Sequence, residues 1–158
     1  MKEIMLLQEH LPKLLLAAII GGIVGIERSG TRHSNTGTVG FGTLSTLTVG
    51  CTLLTIISAY GIGNGADQSR LISTIISSIG FIGGGVIFTR RNDDNDKEVR
   101  GLTTASIIFA LAAIGICIGL GFYGIAIASV ILIELNVYIS KFMKNIKKNK
   151  EHEEHSKI

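Results

Sequence analysis

Apolar residues fall in long runs broken by short polar or charged stretches, and within the runs they do not alternate. Five runs stand out, at residues 11–26, 37–60, 71–88, 102–120 and 122–140. They are 16 to 24 residues long, close to the ~17–25 residues that carry a helix across a bilayer. Backbone groups in lipid are satisfied only by helices or closed barrels, and barrel strands would alternate. The expected fold is therefore all-α, a polytopic transmembrane bundle of about five helices. The last two runs are almost continuous and too long for one crossing, so GLGFYG at residues 119–124 is the expected turn between them. Pro12 is placed in the first turn of the first helix, where its missing N–H does no harm. The predicted division is a membrane domain over residues 1–146 and a short charged tail over 147–158.

Small residues inside the runs recur at helical spacing. Ala17, Gly21 and Gly25 repeat every four residues in the first run. Ser73, Ser77, Gly80 and Gly84 follow in the third, within SSIGFIGGGVIF, where Gly83 and Gly85 widen the stripe. Ala105, Ala112, Gly115 and Gly119 line the fourth, interrupted by Ile108. Helices in lipid associate through close approach at small residues and through interhelical hydrogen bonds. Gly21, Gly25, Gly80, Gly83, Gly84, Gly85, Gly115 and Gly119 are accordingly expected to be helix-packing positions. The glycine run of the third span is expected to approach two neighbouring helices, with a bend or break near Gly83 to Gly85. It lacks a P-loop lysine and the strand–helix setting of a phosphate cradle. Ser45, Thr48, Thr52 and Thr55 share one face of the second run. Two readings stay open for them: hydroxyls that bond to a neighbouring helix or back to their own backbone, or a polar lining for an ion, a proton or a small polar solute.

With 46% hydrophobic residues and one Pro, the composition suits a small integral membrane protein and not a soluble domain. The N-terminal segment lacks a signal-peptide layout, so the first run is read as retained. Twelve of the fifteen Lys and Arg lie after the first, third and fifth runs, whereas Lys2, Lys13 and Arg70 lie on the other side. The positive-inside rule then places the N-terminus outside and the C-terminus in the cytoplasm. Cys51 and Cys117 both sit in apolar runs and are read as small buried hydrophobes. The chain has no HExxH, no Ser–His pair within the spans and no P-loop, so neither catalytic, metal nor cofactor residues are expected.

Ionisable residues mostly mark the edges of the spans. Glu27 and Arg28 close the first, Asp67 and Arg70 flank the start of the third, and Arg100 precedes the fourth. Asp67 suits the N-cap of the third helix, with Gln68 and Ser69 behind it. Capping and snorkelling account for each singly; a polar cluster of Glu27, Arg28 and Arg100 is the functional alternative. Glu134 lies inside the fifth run, roughly 9 Å from its end, where a carboxylate must be hydrated, paired or protonated. In TRRNDDNDKEVRG the acids Asp93, Asp94, Asp96 and Glu98 are matched by nearby bases, and the segment is read as a solvated linker.

Several motifs in order then resemble one family. GIER at residues 25–28, DQSR at 67–70, SIGFIGGGVIF at 78–88, VRGLTTAS at 99–106 and LAAIGICIGLGFY at 111–123 are similar to the MgtC/SapB family of bacterial inner-membrane proteins. The resemblance covers about residues 13–140. It implies a membrane domain of four to five helices and a role in growth at low magnesium and in membrane energetics. It also implies a membrane-protein partner, with the F-type ATP synthase as one candidate, beside the lipid bilayer and a second copy of the chain; nucleic acid is not implied. A cation transporter for Mg²⁺, K⁺ or H⁺ is the alternative. Motif by motif, the resemblance marks Glu27, Arg28, Asp67, Arg70, Gly80, Gly83, Gly85, Arg100, Gly101, Thr103 and Thr104. Many members open the second helix with a GLRTH-like segment, where this chain reads NTGTVGFGTL. With the sequence read to Ile158, the resemblance implies the membrane part, and the soluble domain of longer members is not expected.

Overall fold

The structure, a computed structural model, describes residues 2–30, 39–61, 67, 69–91 and 97–155. In chain order it contains α1 (Lys2–Gly30), α2 (Phe41–Ile56) continued by a π-helical turn (Ile57–Gly61), and α3 (Ser69–Gly85). An antiparallel hairpin of β1 (Phe88–Arg91) and β2 (Lys97–Arg100) follows, then α4 (Leu102–Leu120) and α5 (Tyr123–His155). The fold is all-α apart from that hairpin. Four stretches, Ile4–Ser29, Phe41–Gly61, Leu102–Leu120 and Tyr123–Ser140, are long and apolar enough to cross a membrane.

The chain divides into two compact units, Met1–Ala126 and Ile127–Ile158. In the first unit α2 is the central element. Its one side meets α1, which runs antiparallel to it: Gly25 faces Phe41, Gly21 faces Leu44, Ser45 and Thr48, and Lys13 meets Tyr60. Its other side meets α4, which runs parallel to it: Gly115 faces Thr48, Cys51 and Thr52, and Gly119 faces Thr52 and Thr55. Ala17, Ile20 and Val24 from α1, Leu44 and Ile56 from α2, and Ile108, Leu111, Ala112, Ile114 and Ile118 from α4 form the core. Ile108, which interrupts the small stripe of α4, is 2% exposed and fills part of that core. Large apolar side chains such as Ile19, Ile23, Phe81 and Phe109 face outward, as they do where the surrounding medium is lipid.

The second unit is the continuation of α5, whose backbone stays helical through His155. Ile131, Leu132, Leu135, Tyr138 and Ile139 are exposed along it. The charged tail expected from residue 147 therefore begins as helix.

Three expectations are corrected. Pro12 lies well inside α1, because the helix begins at Lys2. At that position its missing N–H leaves one i→i−4 bond unmade, a defect that membrane helices tolerate through local adjustment. The third run does not continue to Phe88: α3 ends at Gly85 after 17 residues, about 25 Å of helix. The amides of Val86 and Ile87 turn back to the carbonyls of Gly83 and Gly84, so the glycine run ends the helix. The charged segment after it is partly strand: Phe88 pairs with Arg100 and Arg91 with Lys97. Asp93, Asp94 and Asp96 lie outside the described residues.

Gly101 joins the hairpin to α4 with φ +92, and a Cβ there would collide with the Val86 carbonyl. Only glycine combines that left-handed backbone with so close a neighbour. Gly101 thereby ties the start of α4 to the end of α3, and its carbonyl accepts the first backbone bond of α4, from Ala105 N at 2.9 Å.

Candidate functional site

The most closely built region of the chain is the seam where α1 and α4 clasp α2. Glycine is needed on both outer helices. A Cβ on Gly21 would lie 2.6 Å from both the Leu44 carbonyl and Thr48 Oγ1, and one on Gly25 would lie 2.6 Å from Phe41 Cα. On α4, a Cβ on Gly115 would come within 2.8 Å of the Thr48 carbonyl, and one on Gly119 within 2.6 Å of Thr55 Cβ. Gly22 also belongs to this seam, with the Phe41 ring lying over it.

The polar face of α2 is consumed by the packing. Thr48, Thr52, Thr55 and Ser58 are all fully buried. Ser45 donates to the Ala18 carbonyl of α1 at 3.0 Å, and Thr52 donates to the Gly115 carbonyl of α4 at 2.9 Å. Thr48 and Thr55 donate back to their own helix, to the Leu44 and Cys51 carbonyls. Of the two readings left open by the sequence, backbone-bonded hydroxyls are what this face shows. Small residues and hydroxyls together supply what lipid cannot, namely close approach and a partner for each donor.

α3 is different. Ile75, Ile79 and Gly83 are its buried positions, and Gly83 lies 3.8 Å, measured from an added Cβ, from Ala105 Cβ of α4. The stripe of Ser73, Ser77, Gly80 and Gly84 points the other way and is exposed. Among the described residues nothing lies within 4 Å of a Cβ added at Gly80, Gly84 or Gly85. The close approach to two helices expected at these three glycines is not made among the described residues. The reason is periodicity: Ile75, Ile79 and Gly83 form a second stripe about 100° or more around the helix, and its isoleucines carry the apolar contact.

The edge residues take the following places. Glu27 and Arg28 lie half-buried on the last turn of α1, near the Gly25–Phe41 contact. Arg100 ends β2, exposed, and Thr103 and Thr104 occupy the first turn of α4. Glu27, Arg100 and Glu134 each engage a partner. Asp67 caps α3: its Oδ1 accepts from Ser69 N at 2.9 Å and from Ser69 Oγ at 2.6 Å. Arg70 is exposed on the first turn of α3. No group of three or more His, Cys, Asp or Glu among the described residues is arranged to hold a metal ion.

One residue that the sequence reading counted only as a topogenic charge is buried. Lys13 is 6% exposed. Its ammonium donates to the Gly119 carbonyl at 3.1 Å and to Tyr60 Oη at 3.4 Å, and it stands 4.6 Å from the centre of the Tyr60 ring. His10, one turn earlier on α1, lies against the same ring at 5.0 Å. Position 13 at the edge of an apolar run was the available signal, but a lysine there snorkels outward unless a neighbouring helix ends beside it.

The chain has relatives among known proteins. The MgtC family model matches residues 14–146. Protein SapB of Bacillus subtilis is 36% identical over 132 residues, covering 79% of this chain and 53% of the relative. The Escherichia coli K12 protein named "Putative magnesium transporter YhiD" is 35% identical over 126 residues, covering 75% and 54%. Protein MgtC of Brucella abortus is 32% identical over 124 residues, covering 78% and 48%. The chain spans about half the length of these curated relatives. No solved structure matches it. With the family model covering the α1–α4 unit and much of α5, the chain belongs to the MgtC family.

Proposed function

We propose that this chain is a non-enzymatic regulator in the bacterial inner membrane, acting in adaptation to low magnesium by contact between its helices and those of a membrane-protein partner. One observation carries the reading. The small-residue stripes of α1 and α4 are filled by α2, whereas the stripe Ser73, Ser77, Gly80 and Gly84 on α3 is left open by the described residues. An open stripe of this kind lets a second backbone approach closely in lipid. The charge distribution supports an N-terminus outside and a C-terminus in the cytoplasm. Support for magnesium comes from the name of the Escherichia coli relative.

Transport of a cation is the second reading, and that same name favours it. The second helix offers it little, because the hydroxyls of Ser45, Thr48, Thr52 and Thr55 are already donated to backbone carbonyls. A route would have to form elsewhere, or between copies.

Affinity capture from membranes solubilised in mild detergent, after growth at low magnesium, tests the regulator. A discrete membrane partner, with subunits of the F-type ATP synthase the first to look for, is expected with the native chain and is lost with Gly80→Leu. Capture of the chain alone, together with unchanged membrane potential in a deletion strain, overturns it. Proteoliposomes loaded with a magnesium-sensitive dye decide the second reading: flux above that of empty vesicles establishes transport.

A further inference from the structure

The Lys13 end of the seam brings together three features that the proposed regulatory role does not use. The first is a buried ammonium. Placing a charge in an apolar surround is costly unless it is matched, and Lys13 is matched by a carbonyl, a phenol and a ring face. The second is the end of α4. Gly121 adopts φ +87, its amide bonds the Ile118 carbonyl at 3.0 Å, and Phe122 N bonds the Cys117 carbonyl at 2.8 Å. This leaves the Gly119 carbonyl of the last turn for an outside donor, at the negative end of the helix dipole, and Lys13 supplies it. The third is the winding of α2. It runs as α-helix to Ile56, whose successor Ile57 bonds back to both Leu53 and Leu54, and it then widens into the π-helical turn Ile57–Gly61.

A π turn holds one more residue than an α turn, and single π turns inside α-helices are frequent at functional sites. Rewinding this turn as α-helix would rotate the residues after it by about 100°, one residue's worth of helix. Tyr60 would then leave the space between His10 and Lys13. Ser58, fully buried in the present winding, would shift with it.

We propose that Lys13 is a register latch: by gripping Tyr60 and the last turn of α4 together, it holds the end of α2 in its π winding. His10 assists by packing against the Tyr60 ring, tilted 37° to it. The latch has two states, because the turn has two windings, and it lies at the opposite end of α1 from Glu27 and Arg28. Lys13 thus acts as a positioning residue, through Tyr60.

The test is the rate at which a membrane-impermeant maleimide labels Ser58→Cys, in full-length protein carrying Cys51→Ala and Cys117→Ala. With Lys13 present, labelling at position 58 is slow. Lys13→Met is expected to accelerate it at least tenfold, and Lys13→Arg, which keeps the cation, is expected to restore slow labelling. A Thr48→Cys control, deep in the same helix, stays unlabelled in every background. An unchanged rate in Lys13→Met overturns the latch. So does equal acceleration at positions 48 and 58, which is loosening of the whole bundle, and so does an arginine variant as fast as the methionine one. If Lys13→Met is not recovered folded, Tyr60→Leu removes the ring without stranding a charge; the same acceleration supports the latch and an unchanged rate overturns it.

Discussion

The α1–α2–α4 seam and the free face of α3 are written in nearly the same sequence language. Both have small residues three or four apart in an apolar helix. In the seam, every such glycine named on α1 and α4 would clash with α2 if it carried a Cβ. On α3, Gly80, Gly84 and Gly85 meet nothing within 4 Å among the described residues. The difference lies in the neighbour. α2 offers α1 and α4 a face of short hydroxylated side chains, so backbones can meet and each hydroxyl finds a carbonyl. α3 buries Ile75, Ile79 and Gly83 and leaves its small stripe exposed. A stripe of small residues therefore records an ability to be approached; which element approaches is decided by the partner face.

That contrast can be broken most severely at Gly119. Gly119→Leu must displace Thr55 and the Thr52 backbone, and it is expected to cost at least about 3 kcal/mol, the upper range for overfilling a packed core. Denaturant titration of the purified protein in mild detergent measures it; a loss under 1 kcal/mol would mean the seam is loose. Next comes the hydroxyl that crosses between helices. Thr52→Val is expected to lose about 1 kcal/mol, whereas Thr48→Val, whose hydroxyl serves its own helix, loses less. Equal losses would erase the distinction between the two kinds of threonine.

Asp67→Ala removes the cap of α3 and is expected to cost about 1 kcal/mol, seen as faster hydrogen exchange at the amides of Ser69 and Arg70. The smallest effect is expected on the open face: Gly80→Leu should leave stability within about 0.5 kcal/mol of the parent in the same titration. A large loss there would mean that the stripe is already occupied, for example by another copy in the micelle.

The helix count, the turn at Gly121 and the glycine stripes of α1 and α4 were legible because each rests on local pattern: run length, a turn glycine, a four-residue repeat. The seam's second half was legible only as an ambiguity, since Ser45, Thr48, Thr52 and Thr55 line up alike whether they bond to carbonyls or line a path. Three things were out of reach or misjudged. The burial of Lys13 depends on where α4 ends, 106 residues later in the chain. The π winding after Ile56 has no periodic signature. The β hairpin did have a signal, a polar turn-forming cluster between FTRR and KEVR, but the charge balance of the segment masked it. For α3, two stripes competed on one helix, and the pattern of glycines does not say which stripe faces inward.

The dryness of the seam has a thermal consequence. Heat capacity rises on unfolding because apolar surface becomes hydrated. When α1 or α4 parts from α2 within a bilayer, the glycine and threonine faces exchange one another for lipid chains and meet no water. Separation of these helices should therefore carry little heat-capacity change, and its free energy should run almost straight with temperature, without the downturn on cooling that soluble cores show. On cooling, this clasp would stay closed.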